Sequence, residues 1–307
     1  MRTVYLNGQF VPESEAKLSI YDLSVMQAAA AFEMTRSFNG VHFKLQEHLE
    51  RLWQSCNLLS IPLPIPLSAI ENYCYDVSDA NDHGPGEEHR LLIVVSPGCA
   101  PMYKDLAGVI PHPFVYIADF PLRYTVAGFS KYFTEGVHCV MSGVCPIPFQ
   151  SIPPEAKHRA RLHFHLAQQS APEGTWPLMK WPDGHIRNFV EAPGANIVRV
   201  ADDTLYLHKR DALQGISLAT VEELAHAMGW RVRDHNSLDC YGAEQELWLT
   251  GTPFCVLSVT QIDGEPVGDG TIGPRYKQMI AAWSKLVGVD IQEQICQWDL
   301  VASHSSI

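Results

Sequence analysis

The sequence predicts a mixed α+β fold in two domains, and three observations predict it. The chain has 307 residues, about twice the length of a common domain. Short apolar runs rich in β-branched residues alternate irregularly with stretches of helical periodicity, the pattern of an α+β protein. Residues 119–132 lose clear periodicity. That loss places the boundary near residue 125, with a smaller domain over 1–125 and a larger one over 126–307.

The elements follow in chain order. Val4-Tyr5-Leu6-Asn7-Gly8-Gln9-Phe10-Val11 reads as a hairpin, because Asn-Gly supplies the positive φ angles of a tight turn. A second such pair, Asn39-Gly40, joins residues 32–38 to residues 41–43. Leu45, Leu49, Leu52, Trp53, Cys56 and Leu59 recur at helical spacing. Residues 91–95 and 114–118 are short apolar runs, read as strands. In the second half, 137–141 reads as a strand and the segment after Pro153-Pro154 as a helix. Strands follow at 195–200 and 204–207. Ser217 starts a helix with Leu218, Val221, Leu224, Ala225 and Met228 on one face and Gly229 as its stop. Residues 246–250 form a strand leading into Gly251-Thr252. There is no internal repeat.

Composition narrows the function classes. The chain is 46% hydrophobic and 18% charged, as in an ordinary globular protein. Its net charge is −12, from 34 acidic and 22 basic residues, which argues against a nucleic-acid partner. No apolar run approaches the roughly 20 residues that span a bilayer, and the amino-terminal segment enters a strand-turn pattern without a signal-like apolar block. A cytoplasmic protein is the expectation. The eight cysteines (Cys56, Cys74, Cys99, Cys139, Cys145, Cys240, Cys255, Cys296) form no Cys-x-x-Cys pair, so reduced thiols are expected. His158, His163 and His165 do not share one helix face and no carboxylate pair accompanies them; no metal is expected.

Several residues could carry chemistry, each ordinary when taken alone. Leu213-Gln214-Gly215-Ile216-Ser217 ends a loop at a helix start, where free amides and the positive dipole end favour an anion; a plain cap reads equally well. Gly251-Thr252 offers a hydroxyl after a strand. Lys157 follows Pro153-Pro154, Glu191 precedes the turn Pro193-Gly194-Ala195-Asn196, and Arg51 lies off the apolar face of its helix.

Order and spacing join these pieces. The stretch Leu6-Asn7-Gly8-Gln9-Phe10-Val11-Pro12, then Asp22, Phe32-Glu33-Met34-Thr35-Arg36, His48-Leu49-Glu50-Arg51-Leu52, Pro153-Pro154 with Lys157, Glu191 to Asn196, Leu213 to Ser217 and Gly251-Thr252 come in one sequence. From Leu6 to about Gly273 the chain resembles the fold-type IV pyridoxal-phosphate enzymes. These include branched-chain aminotransferases, D-amino acid aminotransferases, R-selective amine transaminases and aminodeoxychorismate lyase. The resemblance implies a two-domain fold of that type, pyridoxal 5'-phosphate as cofactor in the larger domain, and a homodimer. It implies that Lys157 holds the cofactor and shuttles a proton, a task suited to a lysine of lowered pKa. Glu191 would keep the pyridine nitrogen protonated. Arg51, the amides of Ile216 and Ser217, and the Thr252 hydroxyl would bind the phosphate.

The chain also departs from that family. Where relatives have Tyr-Gly-Asp-Gly-Val it has Gln27-Ala28-Ala29-Ala30-Ala31, so Gln27 replaces a tyrosine of the substrate pocket. Leu162 replaces a tyrosine that meets the cofactor's phenolic oxygen, and Leu218 replaces an arginine after Gly215-Ile216-Ser217. Three extra residues separate Asp183-Gly184 from Glu191. Met102 stands where D-amino acid aminotransferases carry an arginine, whereas Arg90 matches a carboxylate-contacting arginine of branched-chain enzymes; a strand-end surface charge is its other reading. The implied reaction is transamination between an amino acid, of branched-chain L type by this balance, and a 2-oxo acid. A lyase of the aminodeoxychorismate type, or a cofactor binder without transaminase activity, are the alternatives.

Overall fold

The structure is a computed structural model describing residues 1–181, 189–209, 212–234 and 245–304. Cys240 and the pair Asp183-Gly184 lie outside the described residues. The chain divides into two compact units, Met1–Thr125 with Ile152–Arg161, and Val126–Ser151 with Leu162–Ile307.

The first unit opens with β1 (Thr3–Leu6) and β2 (Gln9–Pro12), turned by Asn7 at φ 46° and Gly8 at φ 88°. Then come α1 (Leu23–Met26), β3 (Ala31–Met34), the small hairpin β4 (Ser37–Phe38) and β5 (Val41–His42), α2 (Leu45–Leu58), α3 (Leu67–Asp79), β6 (His89–Ser96) and β7 (Phe114–Pro121). The main sheet is antiparallel throughout, in the order β2-β1-β7-β6-β3. Its two faces follow from the period of two along each strand. Leu91, Ile93, Val95, Val115 and Ile117 pack with Leu49, Leu52, Cys56, Ile70, Cys74 and Val77 of α2 and α3. Leu52 is wholly buried there, so cutting it to alanine costs about 2–5 kcal/mol. On the other face Phe32 and Val94 are buried with Met34, Leu92 and Tyr116 against them.

α4 (Arg123–Val126) closes the first stretch of the first unit, and the second unit contains α5 (Ser130–Thr134), β8 (Val137–Met141), α6 (Leu162–Ser170), β9 (Trp176–Lys180), β10 (Phe189–Ala192), β11 (Ala195–Ala201), β12 (Thr204–Leu207) and α7 (Ile216–Ala227). It continues with β13 (Arg231–Asp234), β14 (Glu246–Gly251), β15 (Cys255–Ile262), β16 (Glu265–Pro266), α8 (Pro274–Val287) and α9 (Ile291–His304). The strands run in the order β10-β9-β8-β15-β14-β11-β12-β13. Because β10 also pairs β11, the path from β10 to β11 closes on itself, leaving β13 and the short β16, paired with β15, at the edges. Trp248, Leu249, Val256, Leu257, Met279 and Trp283 are buried in its core.

Three expectations change. Residues 119–132 are not a featureless linker: Asp119 lies inside β7, and α4 and α5 follow. The α7 N-cap is Gly215 rather than Ser217, so the helix begins at Ile216. The segment after Pro153-Pro154 is a turn, closed by Ala156 N–H to the Pro153 carbonyl at 3.0 Å, that leads into a bridge at His158, and α6 begins only at Leu162. Phe32 N–H donates to the Lys157 carbonyl at 3.0 Å and Arg159 N–H to the Ala30 carbonyl at 3.0 Å, with Ala31 and His158 bridged. The exposed ladder of β3 therefore outcompetes helix formation here, since its free donors and acceptors need partners. This pairing ties Lys157 to the first unit.

Candidate active site

In the first unit β3 and α2 assemble a buried ion cluster. His48 and Arg51 are three apart on α2 and so share a helix face, which meets Glu33 of β3. Arg51 donates to the Glu33 carboxylate from Nε at 2.6 Å and from Nη2 at 2.9 Å. His48 Nδ1 lies 2.7 Å from Glu33 Oε2; a carboxylate only accepts, so that nitrogen carries the proton. Burial alone would raise the Glu33 pKa, but Arg51 and His48 overcome it and hold the group well below the usual carboxylate range. Burial pushes the His48 pKa down against the pull of Glu33. The bidentate grip fixes the orientation of the Arg51 guanidinium.

Lys157 is fastened beside this cluster. Its backbone N–H donates to Ser55 Oγ at 2.9 Å, and that hydroxyl donates to the Arg51 carbonyl at 2.8 Å. Its Nζ lies 5.1 Å from the centre of the Phe32 ring. The side chain keeps partial solvent exposure, yet its dense surroundings lower the ammonium pKa to about 7, with burial the main cause, Arg51 adding and Glu33 opposing. Arg159 and Arg161 also face Phe32, at 4.6 and 5.5 Å from the ring centre. Arg90 is not a surface charge: it is 6% exposed and leaves β6 on the face of Leu92 and Val94. Its Nη2 lies 3.7 Å from Met34 Sδ, while Nε and Nη1 are buried without a hydrogen-bond partner. Burial, with Arg36 adding, lowers its pKa to about 9. Gln27 ends α1 with an exposed side chain, and Leu162 is 68% exposed.

The second unit gathers its candidate anion-binding groups at the start of α7. Gly215 caps α7 without any side-chain hydrogen bond, so the first-turn amides, those of Ile216 and Ser217 among them, keep the free donors of a helix start. Ser217 is buried. A Cβ on Gly215 would collide with Asn196 Oδ1, and Asn196 Nδ2 donates to the Leu213 carbonyl at 2.7 Å. Glu191 stands directly opposite Asn196 in the β10–β11 ladder, and Asn196 opposite Thr250 in the β11–β14 ladder. Residues directly opposite share a face, so Glu191, Asn196 and Thr250 form a row on the side of the α7 start. Thr250 Oγ1 is buried without a partner. Thr252 is half-buried in the turn after β14, where a Cβ on Gly251 would sit 2.6 Å from Phe254 Cζ.

The pattern of amino-transferase class IV matches residues 30–262, three quarters of the chain. The chain belongs to the class IV aminotransferases. It is 26% identical over 282 residues to a provisionally named branched-chain-amino-acid aminotransferase of Methanocaldococcus jannaschii, covering 90% of this chain and 93% of that one. It is 25% identical over 284 residues to a D-alanine aminotransferase of Bacillus licheniformis, covering 91% and 95%. The fold matches that of the Escherichia coli branched-chain amino acid aminotransferase with a TM-score of 0.82 at 23% identity, over 93% of this chain and 94% of that one. A T.th. branched-chain amino acid aminotransferase, solved with pyridoxamine 5'-phosphate, matches with a TM-score of 0.81 at 23% identity, over 94% of each chain.

Class IV aminotransferases use pyridoxal 5'-phosphate, and this protein is a transaminase of that class. Each unit by itself offers groups that fit the cofactor: the first a lysine poised near neutrality, the second a helix start capped by glycine and a buried Thr250 hydroxyl without a partner among the described residues. Sequence reading missed the roles of Glu33, His48 and Ser55. The i,i+3 pair His48 and Arg51, beside a carboxylate in an apolar strand, was the available signal.

Proposed function

We propose that the protein transfers an amino group from an L-amino acid with an aliphatic, branched-chain-like side chain to a 2-oxo acid. The observation that carries this reading is Arg90, a buried guanidinium with two unpartnered nitrogens on the apolar face shared by Met34 and Leu92. A substrate carboxylate satisfies Arg90, and an alkyl side chain suits Met34 and Leu92. Gln27 serves the same substrate.

The remaining roles follow from the chain's own groups. Lys157, with a neutral fraction near pH 7, binds the cofactor and moves the proton at the substrate Cα. Glu191 holds a proton on the pyridine nitrogen. Arg51, held by Glu33, binds the phosphate together with the Ile216 and Ser217 amides and the Thr252 hydroxyl. Bound pyridoxal phosphate supplies an electron sink for the pair released from the Cα–H bond. We place the activity in a cytoplasmic homodimer. Family resemblance supports the dimer, and the absence of a disulfide among the described cysteines suits a reducing compartment. No described helix is long and apolar enough to cross a membrane.

The test is visible absorbance of the purified protein and of Lys157→Ala, before and after addition of L- and D-amino acids, with sedimentation for the dimer. The reading expects a cofactor band that depends on Lys157 and is bleached to the pyridoxamine form by aliphatic L-amino acids. Bleaching by D-amino acids alone reverses the stereochemistry. Product release with the aldehyde form retained identifies a lyase, and a band that no donor bleaches identifies a binder without transaminase activity.

A further inference from the structure

On the sheet face opposite Arg90 and Phe32, the first unit gathers three side chains that the transamination chemistry does not use. His89 opens β6 opposite Pro121, and Asp119 of β7 stands opposite Leu91. The two therefore share the core face on a diagonal, and His83 folds over them from the loop after α3. His83 Nε2 lies 3.0 Å and His89 Nδ1 2.7 Å from Asp119 Oδ2. The donor atoms of all three lie within 4.8 Å of one another. Asp119 is 1% exposed, and its second oxygen, Oδ1, is buried with no partner. Two imidazole nitrogens converge on Asp119 Oδ2, and the carboxylate's other oxygen has no partner among the described residues; that donor set invites a cation.

The surroundings have the right sign. The carboxylates of Asp79 and Glu88 add negative charge around His89, and Arg2 adds positive charge beside His83. A further imidazole, His42, has its ring centre 5.9 Å from that of His89. It is 6% exposed, its Nδ1 is buried without a partner, and its Nε2 shares a 2.8 Å hydrogen bond with Ser78 Oγ.

We propose that His83, His89 and Asp119 form a binding site for a divalent transition-metal ion of the zinc class, which staples the α3–β6 loop to the sheet. Nitrogen and carboxylate donors in a three-ligand set suit zinc, with water completing the shell. Ligand distances of about 2.0–2.2 Å put donors roughly 3.4 Å apart. To reach that spacing the His83 Nε2 and His89 Nδ1 contacts with Asp119 Oδ2, now 3.0 and 2.7 Å, must each open by about 0.4–0.7 Å. Ligation places the remaining ring protons on His83 Nδ1 and His89 Nε2. His158, His163 and His165 play no part.

The experiment uses the full chain loaded with pyridoxal phosphate and stripped with a chelator, titrated with Zn²⁺ by calorimetry and with Co²⁺ by visible spectroscopy. The proposal expects one tight equivalent per chain, a four-coordinate Co²⁺ spectrum, and a melting point raised by about 5 °C or more at 100-fold excess over Kd. His83→Gln changes a loop residue that leaves the core intact, and Asp119→Asn changes a second ligand. Each should weaken binding by at least the roughly 10–100-fold that loss of an outer-shell partner costs. Binding no tighter than millimolar overturns the site and leaves a hydrogen-bonded cluster only. Equal binding in wild type and both variants, or a metal that shifts the cofactor band in all of them alike, places the ion elsewhere and overturns it too.

Discussion

Replacing Lys157 with methionine should stabilise the cofactor-free protein, although it removes the residue that holds the cofactor. The lysine pKa falls from its ordinary 10.5 to about 7 in the folded chain, so the fold disfavours the ammonium form. At about 1.36 kcal/mol per pKa unit this corresponds to at most about 4–5 kcal/mol, and partial hydration of the side chain reduces it to roughly half. The sign is fixed by proton binding. Between pH 7 and 10.5 the unfolded chain binds more protons at this residue than the folded one, so wild-type stability rises with pH there. Below pH 7 the full cost is present. Methionine has a similar length, no charge, and a soft sulfur suited to the Phe32 ring. Urea unfolding of cofactor-free wild type and Lys157→Met at about pH 6.5, 8 and 9.5 is the assay. The variant should lead by about 2 kcal/mol or more at the lowest pH, and the gap should shrink as pH rises. A variant no more stable than wild type, or a gap independent of pH, would refute the claim that burial controls this amine.

Three further outcomes rest on the same geometry. Glu33→Gln leaves Arg51 buried without its counter-charge and should cost about 3–5 kcal/mol, read as a lower urea midpoint that added pyridoxal phosphate partly restores. Because Glu33 is held below its ordinary range, its contribution is present above about pH 4.3 and is lost as pH falls further; the variant should lack that acid loss. Arg90→Met should leave the cofactor band intact and raise the amino-acid KM by about 100-fold or more, the expected cost of removing a buried charge partner, while cofactor-free stability rises or holds; an unchanged KM would remove Arg90 from substrate binding. Gly215→Ala forces Asn196 off the Leu213 carbonyl and should destabilise by about 1–3 kcal/mol, with weaker cofactor retention on gel filtration as the readout.

Much of the first unit was legible in the sequence because its devices are local. Asn7-Gly8 and Asn39-Gly40 take the positive φ angles of their turns, and the strands over 91–95 and 114–118 lie inside β6 and β7. The helix over Leu67–Asp79 was missed, since its apolar positions Ile70, Cys74 and Val77 are too few to stand out beside Tyr73 and Tyr75. Lys157 was legible only through ordered motifs, and its backbone pairing was not, because a distant partner in the chain, Phe32, decides it. The cluster of His83, His89 and Asp119 is invisible for the same reason: the β6–β7 register creates it.

Arg90 shows how a strand's phase can reveal what local reading leaves open. In Leu91-Leu92-Ile93-Val94-Val95 both parities are apolar, which means that both faces of the strand are covered. The odd positions face α2 and α3. An arginine at the even position before Leu92 is thereby committed to the second covered face, where water cannot serve its guanidinium freely. A buried guanidinium is costly unless paired, and Glu33, in register with Ile93, lies on the other face of the sheet, where Arg51 and His48 hold it. Among the described residues nothing bonds Arg90 Nε or Nη1, and the carboxylate of the proposed amino acid substrate is the anion that would complete it.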